Sequence, residues 1–247
     1  NRGETAIPGA IDRMRELRNQ GKRLIVLTNA ASYTKAEAVE KYARLGFDFS
    51  AEEVISSRDV AFALLPPLPD GTIWAAAAAP EDRFDDSPVP LRRVQDDPRL
   101  FASAGGFVLL SSTGWGESEN DRLTKALRDN PRPLIVANPD LVAPREGGLT
   151  LEPGHFAEGI AEATGLAPRF FGKPHRNAFD AALARLRGIP RSRIAMVGDT
   201  LHTDVLGGAA AGLKTVLITD HGLFRGRDVG PYITRSGIVP DWIVPTT

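Results

Sequence analysis

Two carboxylates stand five residues apart in Gly198-Asp199-Thr200-Leu201-His202-Thr203-Asp204. They follow the apolar run Ile194-Ala195-Met196-Val197, whose length suits a buried strand. Open parallel sheets bind their ligands at the carboxyl ends of the strands. Carboxylates placed there can hold Mg2+, which takes oxygen ligands and keeps several waters. Taken alone, Asp204 would serve as well as a helix cap. Gly207-Gly208 and Ala209-Ala210-Ala211 then favour a helix packed closely on its neighbours.

Two further clusters suit phosphate chemistry. Thr28-Asn29 directly follows Leu24-Ile25-Val26-Leu27, and a hydroxyl with backbone N–H groups at a strand end can cradle a phosphate. A plain turn is the simpler account of such residues. Gly172-Lys173-Pro174-His175 places a lysine after Phe170-Phe171 and before a helical pattern. Its compact charge suits a phosphoryl oxygen or an aspartate; a solvated surface lysine is the plainer reading. On the first view Lys173 stabilises a bound phosphate more than it stabilises the fold. His175 reads as a helix-start residue.

The elements that must carry these residues alternate. Ile11, Met14 and Leu17 predict a helix after Pro8, stopped near Gly21. A strand at 23–27, a polar turn and a helix through Ala36, Val39 and Ala43 follow. The C-terminal part repeats the pattern, with a helix at 175–186, strands at 194–197 and 214–219, a small-residue helix at 203–211 and a last strand at 241–244. This is the alternation of a parallel α/β sheet. The strands at 24–27 and 194–197 call for a parallel neighbour between them. Pro66, Pro67 and Pro69 interrupt the order, and 82–100 is polar and irregular. A second set of elements follows, with strands at 107–110 and 134–137 and a helix at 119–128. We therefore expect a Rossmann-like parallel-sheet core of residues 1–56 and 168–247, with a smaller α/β module of residues 57–167 inserted into it. The pentaalanine Ala75–Ala79 carries no functional reading.

Composition narrows the class. The 247 residues hold 30 Lys plus Arg against 31 Asp plus Glu, which gives no basic surface for nucleic acid. No apolar run is long enough to span a bilayer. The absence of cysteine removes thiol nucleophiles, disulfides and zinc–thiolate sites. Walker, dinucleotide and Ser-elbow patterns do not occur.

In order, Ile7-Pro8-Gly9-Ala10, Leu27-Thr28-Asn29, Asn138-Pro139-Asp140, Gly172-Lys173-Pro174 and Gly198-Asp199 through Asp204 resemble the haloacid dehalogenase superfamily. The order and spacing are similar to its class IIA phosphatases, over nearly the whole chain. The resemblance implies a C2-type cap in the inserted module and a Mg2+-dependent hydrolase of small phosphorylated metabolites. It implies that Thr28 binds the phosphoryl group with help from Asn29, and that Lys173 neutralises its charge and orients the nucleophile. Asp199 would ligate Mg2+ and Asp204 would support or complete the metal site. Asn138 and Asp140 would belong to the face of the cap turned to substrate. The family's nucleophilic Asp lies on a strand just ahead of the helix at Pro8, so it is expected upstream of Asn1; without it the protein should be inactive. The stretch Thr219-Asp220-His221-Gly222 is similar to a branch with Trp in place of the acid/base Asp. A cytoplasmic enzyme, compatible with a homodimer, is expected. Another phosphoryl-handling enzyme, or a catalytically weak or inactive binding relative, is the alternative.

Overall fold

The computed structural model describes residues 5–145 and 148–246. Residues 1–4, which the sequence reading gave to the core module, lie outside the described residues. In chain order the strands are β1 (Val26–Thr28), β2 (Val54–Ser56), β3 (Trp74–Ala77), β4 (Leu91–Arg93), β5 (Gly106–Leu109), β6 (Leu134–Val136), β7 (Val142–Arg145), β8 (Gly148–Leu151), β9 (Arg169–Phe170), β10 (Ala195–Gly198), β11 (Lys214–Ile218) and β12 (Trp242–Val244). The helices are α1 (Ala10–Asn19), α2 (Lys35–Arg44), α3 (Ser57–Ala63), α4 (Leu100–Ser103), α5 (Glu117–Asp129), α6 (Pro153–Thr164), α7 (Arg176–Arg185), α8 (Leu206–Ala210) and α9 (Gly230–Ser236). The chain forms two compact units. One comprises Asn1–Leu27, Glu37–Ile55 and Lys173–Thr247, and the other Thr28–Ala36 and Ser56–Gly172. Segment 28–36 thus groups with the second unit, where the sequence reading placed it in the first.

In the first unit β10, β11 and β12 form a parallel sheet, with Val197 opposite Val216 and Val216 opposite Trp242. Leu201, Val205, Leu217 and Phe224 make a small core beside it. β1 and β2 pair as a separate two-stranded sheet. Among the described residues no strand pairs with the other edge of β10, where Val197 is 45% exposed. Arg18 of α1 grips Glu53 with two hydrogen bonds of 2.6 and 2.8 Å and also donates to the Asp48 carbonyl. That fork ties the first helix to the loop before β2. It also holds the Glu53 carboxyl below its ordinary pKa, chiefly through the guanidinium hydrogen bond.

The second unit is built on a parallel five-stranded sheet of order β4-β3-β5-β6-β9. Its interior strands are apolar on both faces, as helices on either side of a parallel sheet require. Phe107, Leu123, Leu127, Val136 and Ile160 are core residues. The pentaalanine is β3 and its continuation, fully buried. Ser56 and Asp59 form a reciprocal capping box that fixes the start of α3. β7 and β8 make an antiparallel hairpin. Among the described residues no helix is long and apolar enough to cross a membrane.

Candidate active site

In the first unit the two aspartates take different positions at the carboxyl end of β10. The strand ends at Gly198, and the chain enters a π-helical turn over Leu201–Val205. Such turns recur at functional sites because they re-aim side chains. Asp204 is 3% exposed. Its Oδ1 lies 2.7 Å from Lys173 Nζ, and its Oδ2 accepts the Thr200 N–H at 3.1 Å. Gly198 makes room for it, since a Cβ there would stand 2.2 Å from the Asp204 carboxyl carbon.

Asp199 has a second cradle of the same kind. Gly222, at φ +72°, lies so close that a Cβ would sit 1.5 Å from Asp199 Oδ2. Burial raises the Asp199 pKa, and the Asp204 charge raises it further, while Lys173 opposes both. Two carboxylates are thus seated against glycine backbone, and one of them is already matched by an ammonium.

Lys173 departs from the surface reading. Its side chain is only 14% exposed and is committed to Asp204. Its contribution to the fold is therefore substantial, because a buried carboxylate without its partner is costly. An aspartate partner for Lys173 was one of its two sequence readings, but which aspartate, 31 residues on, only the fold decides.

In the second unit Thr28 ends β1, and its Oγ1 accepts the Ala30 N–H at 3.1 Å. The local turn is real, while the hydroxyl keeps its own proton to donate. The buried Asn29 donates from Nδ2 to Asp140 Oδ1 at 2.8 Å. Asp140 in turn gives its backbone N–H to Asn138 Oδ1 at 3.1 Å, and Asn138 Nδ2 reaches Glu152 Oε2 at 3.0 Å. Two more bonds fasten the same loop. The Ala31 carbonyl accepts from Arg58, and Lys35 pairs with Asp59 at 2.7 Å. Asn29, Asn138 and Asp140 are therefore joined in one hydrogen-bonded chain. Glu152 and Arg58 are the residues the sequence reading did not single out.

A fit to Mg2+ can be judged from these donors. Asp199 offers an oxygen in a cradle that any Cβ would fill. Asp204 has both oxygens engaged, which suits a supporting role beside a cation. Among the described residues no group of three or more His, Cys, Asp or Glu could hold a metal ion. Mg2+ is commonly held by one or two carboxylates, with water and substrate phosphate completing the octahedron. The residues present fit that mode.

The geometry thus places a carboxylate pair at the end of a parallel strand, with a lysine against one of them. The model of haloacid dehalogenase-like hydrolases matches residues 1–83, and a HAD-hydrolase-like model matches residues 170–245. The chain belongs to the haloacid dehalogenase-like hydrolases, in their class IIA branch. Human glycerol-3-phosphate phosphatase is 31% identical over 98% of this chain and 84% of its own length. A crystal structure of a possible sugar phosphatase of the HAD superfamily from Cytophaga hutchinsonii superposes with a TM-score of 0.84 at 30% identity, covering 97% of this chain and 87% of that one. A glycerol phosphate phosphatase from Mycobacterium tuberculosis, solved in complex with magnesium, gives a TM-score of 0.71 at 26% identity, covering 98% of this chain and 70% of that one.

Proposed function

We propose that this protein is a Mg2+-dependent phosphatase that hydrolyses small phosphate monoesters through an aspartyl-phosphate intermediate. The observation that carries the reading is the cradled Asp199 beside the Lys173–Asp204 pair at the end of β10. The relatives named as glycerol-phosphate and sugar phosphatases support small polyol and sugar phosphates as the substrate class.

In this reading Asp199 holds the cation, with Asp204 supporting the site. When bound, Mg2+ supplies Lewis-acid charge to the phosphoryl oxygens. Lys173 holds Asp204 in place and adds positive charge toward the phosphoryl group. Thr28 donates its hydroxyl proton to a phosphoryl oxygen, and Asn29 shapes the loop that presents it. The attacking carboxylate is an aspartate, as the resemblance implies. The module read as residues 57–167 serves as a C2-type cap, which excludes water and favours small substrates. The enzyme is cytoplasmic, free to act as a homodimer, and has no role for nucleic acid.

The test is phosphate release by the full-length protein from a panel of glycerol, sugar and nucleotide monophosphates and phosphoproteins, with magnesium and with EDTA. Magnesium-dependent turnover of the small esters is expected. Turnover unaffected by EDTA, or preference for phosphoproteins over every small ester, refutes the reading.

A further inference from the structure

We propose that Glu152 is a positioning residue for this reaction, which fixes the side chain of Asn29 through Asn138 and Asp140; the functional half of the proposal rests on the phosphatase reading. Glu152 is 4% exposed, an unusual place for a carboxylate. It occupies the N-cap position of α6, yet its side chain makes no capping hydrogen bond. Its oxygens instead accept from Asn138 Nδ2 at 3.0 Å and from the Thr150 hydroxyl at 2.9 Å.

This choice of acceptor has a directional consequence. An ionised carboxylate can only accept, so Asn138 must turn its NH2 toward Glu152. The Asn138 carbonyl oxygen then faces the other way, where it takes the Asp140 N–H at 3.1 Å. A flipped Asn138 would set its NH2 against that N–H and its oxygen against the carboxylate. Glu152 thus selects one state of the 138–140 turn. In that state Asp140 Oδ1 receives the Asn29 amide at 2.8 Å.

The backbone around Glu152 reinforces the same turn. The Glu152 N–H donates to the Leu141 carbonyl at 3.0 Å, and the Gly154 N–H to the Asp140 carbonyl at 3.1 Å. Gly154 lies so close beneath the turn that a Cβ would stand 2.2 Å from the Pro139 carbonyl oxygen. The start of α6 and residues 138–141 therefore behave as one piece, with Asn29 as its far end. Asn29 directly follows Thr28, the residue assigned to the phosphoryl group.

Two variants of nearly equal size separate the possibilities in the full chain. Glu152→Gln keeps an acceptor for Asn138, and the Thr150 hydroxyl can accept from the new amide. Glu152→Met keeps the volume and loses both acceptors. Side-chain amide NMR of Asn29 reads the relay directly, without activity. Its signals should hold in E152Q and move in E152M, as they should in D140A. In magnesium-dependent hydrolysis of glycerol 3-phosphate, E152M should lower kcat about tenfold with a smaller change in KM, and E152Q should stay within about threefold of the wild type. In an Asn29→Ala background E152M should cost nothing further. An unmoved Asn29 signal in folded E152M overturns the relay. So does a full additional loss when E152M is combined with N29A. If E152M does not fold, an E152Q that shifts the Asn29 signal as far as D140A does also refutes it. A chain that hydrolyses no monoester defeats the phosphatase reading instead, and the NMR result still decides the relay.

Discussion

Replacing Arg58 by Met should unfold the second unit at far lower denaturant. The guanidinium has no exposed surface and meets two carboxylates at once. Nε and Nη2 donate to Asp86 at 2.8 and 2.7 Å, Nη2 reaches Asp82 at 2.9 Å, and Nη1 bonds Asp82 and the Ala31 carbonyl. Burial alone would lower the Arg58 pKa, but the bonds to Asp82 and Asp86 outweigh it and hold the pKa above its usual value. Without the arginine, Asp82 is stranded, because its side chain is only 3% exposed. Breaking a buried ion pair on one side costs about 3–5 kcal/mol. Losing the contact over the Phe62 ring, 4.8 Å from the guanidinium carbon, adds about 1 kcal/mol. With a urea dependence of about 2 kcal/mol per molar, the midpoint should fall by about 2–3 M. Tryptophan fluorescence reports on this unit, since Trp74 and Trp115 are buried in it, while Trp242 of the first unit is exposed. Removing all three charges with R58M, D82L and D86L should recover much of the loss. A midpoint within about 0.5 M of wild type in R58M would refute the reasoning, as would a triple variant no more stable than R58M.

Asp199→Asn removes an anionic oxygen while keeping shape, and a magnesium titration of activity should show weakened binding or lost turnover; an unchanged response refutes Asp199 as the ligand. Lys173→Met should lower kcat/KM about 100-fold and also cost about 3 kcal/mol of stability, because it strands Asp204; steady-state kinetics beside thermal unfolding checks both, and an unaffected melting temperature contradicts the ion-pair argument. The Arg18–Glu53 fork should fade in acid. Glu53 titrates below its ordinary value of 4.5 in the folded state, so its contribution is full above that pH and is lost as pH falls through the folded value. The stability gap between wild type and Arg18→Met, followed by denaturation from pH 7 to pH 3, should therefore narrow below pH 4.5; a constant gap rules the linkage out.

Local pattern made part of this fold readable. The apolar run at 194–197 ends in β10 with Asp199 just beyond it, and the three-residue spacing of Ile11, Met14 and Leu17 lies on α1. Pairings distant in sequence were not readable. Asp82 and Asp86 stand in a polar, irregular stretch, and nothing nearby points to Arg58 as their partner. Ala75–Ala77 form a strand although alanine favours helix, because small side chains fit an interior strand covered on both faces. Glu152 opens a helix in a place where a carboxylate ordinarily caps or faces water; only the fold brings Asn138 against it. Among the described residues β1 pairs with β2, apart from the β10–β11–β12 sheet, and the parallel neighbour that the strands at 24–27 and 194–197 call for is not among them.

The two aspartates of the Gly198–Asp204 segment are not interchangeable, and electrostatics says why. Lys173 lies 2.7 Å from Asp204, so much of its charge is taken up by that carboxylate and only the remainder faces a phosphoryl oxygen. Around Asp199, burial and the Asp204 charge make ionisation less favourable, and Lys173 opposes them. A phosphate monoester near neutral pH carries close to two negative charges. Against Asp199 alone such an anion is repelled, and low dielectric strengthens the repulsion. A divalent cation held by Asp199 would offset that repulsion and supply positive charge for the phosphate. Magnesium is thus expected to act on substrate affinity as well as on the chemical step. The lysine cannot take over that task without leaving Asp204 buried and unpaired.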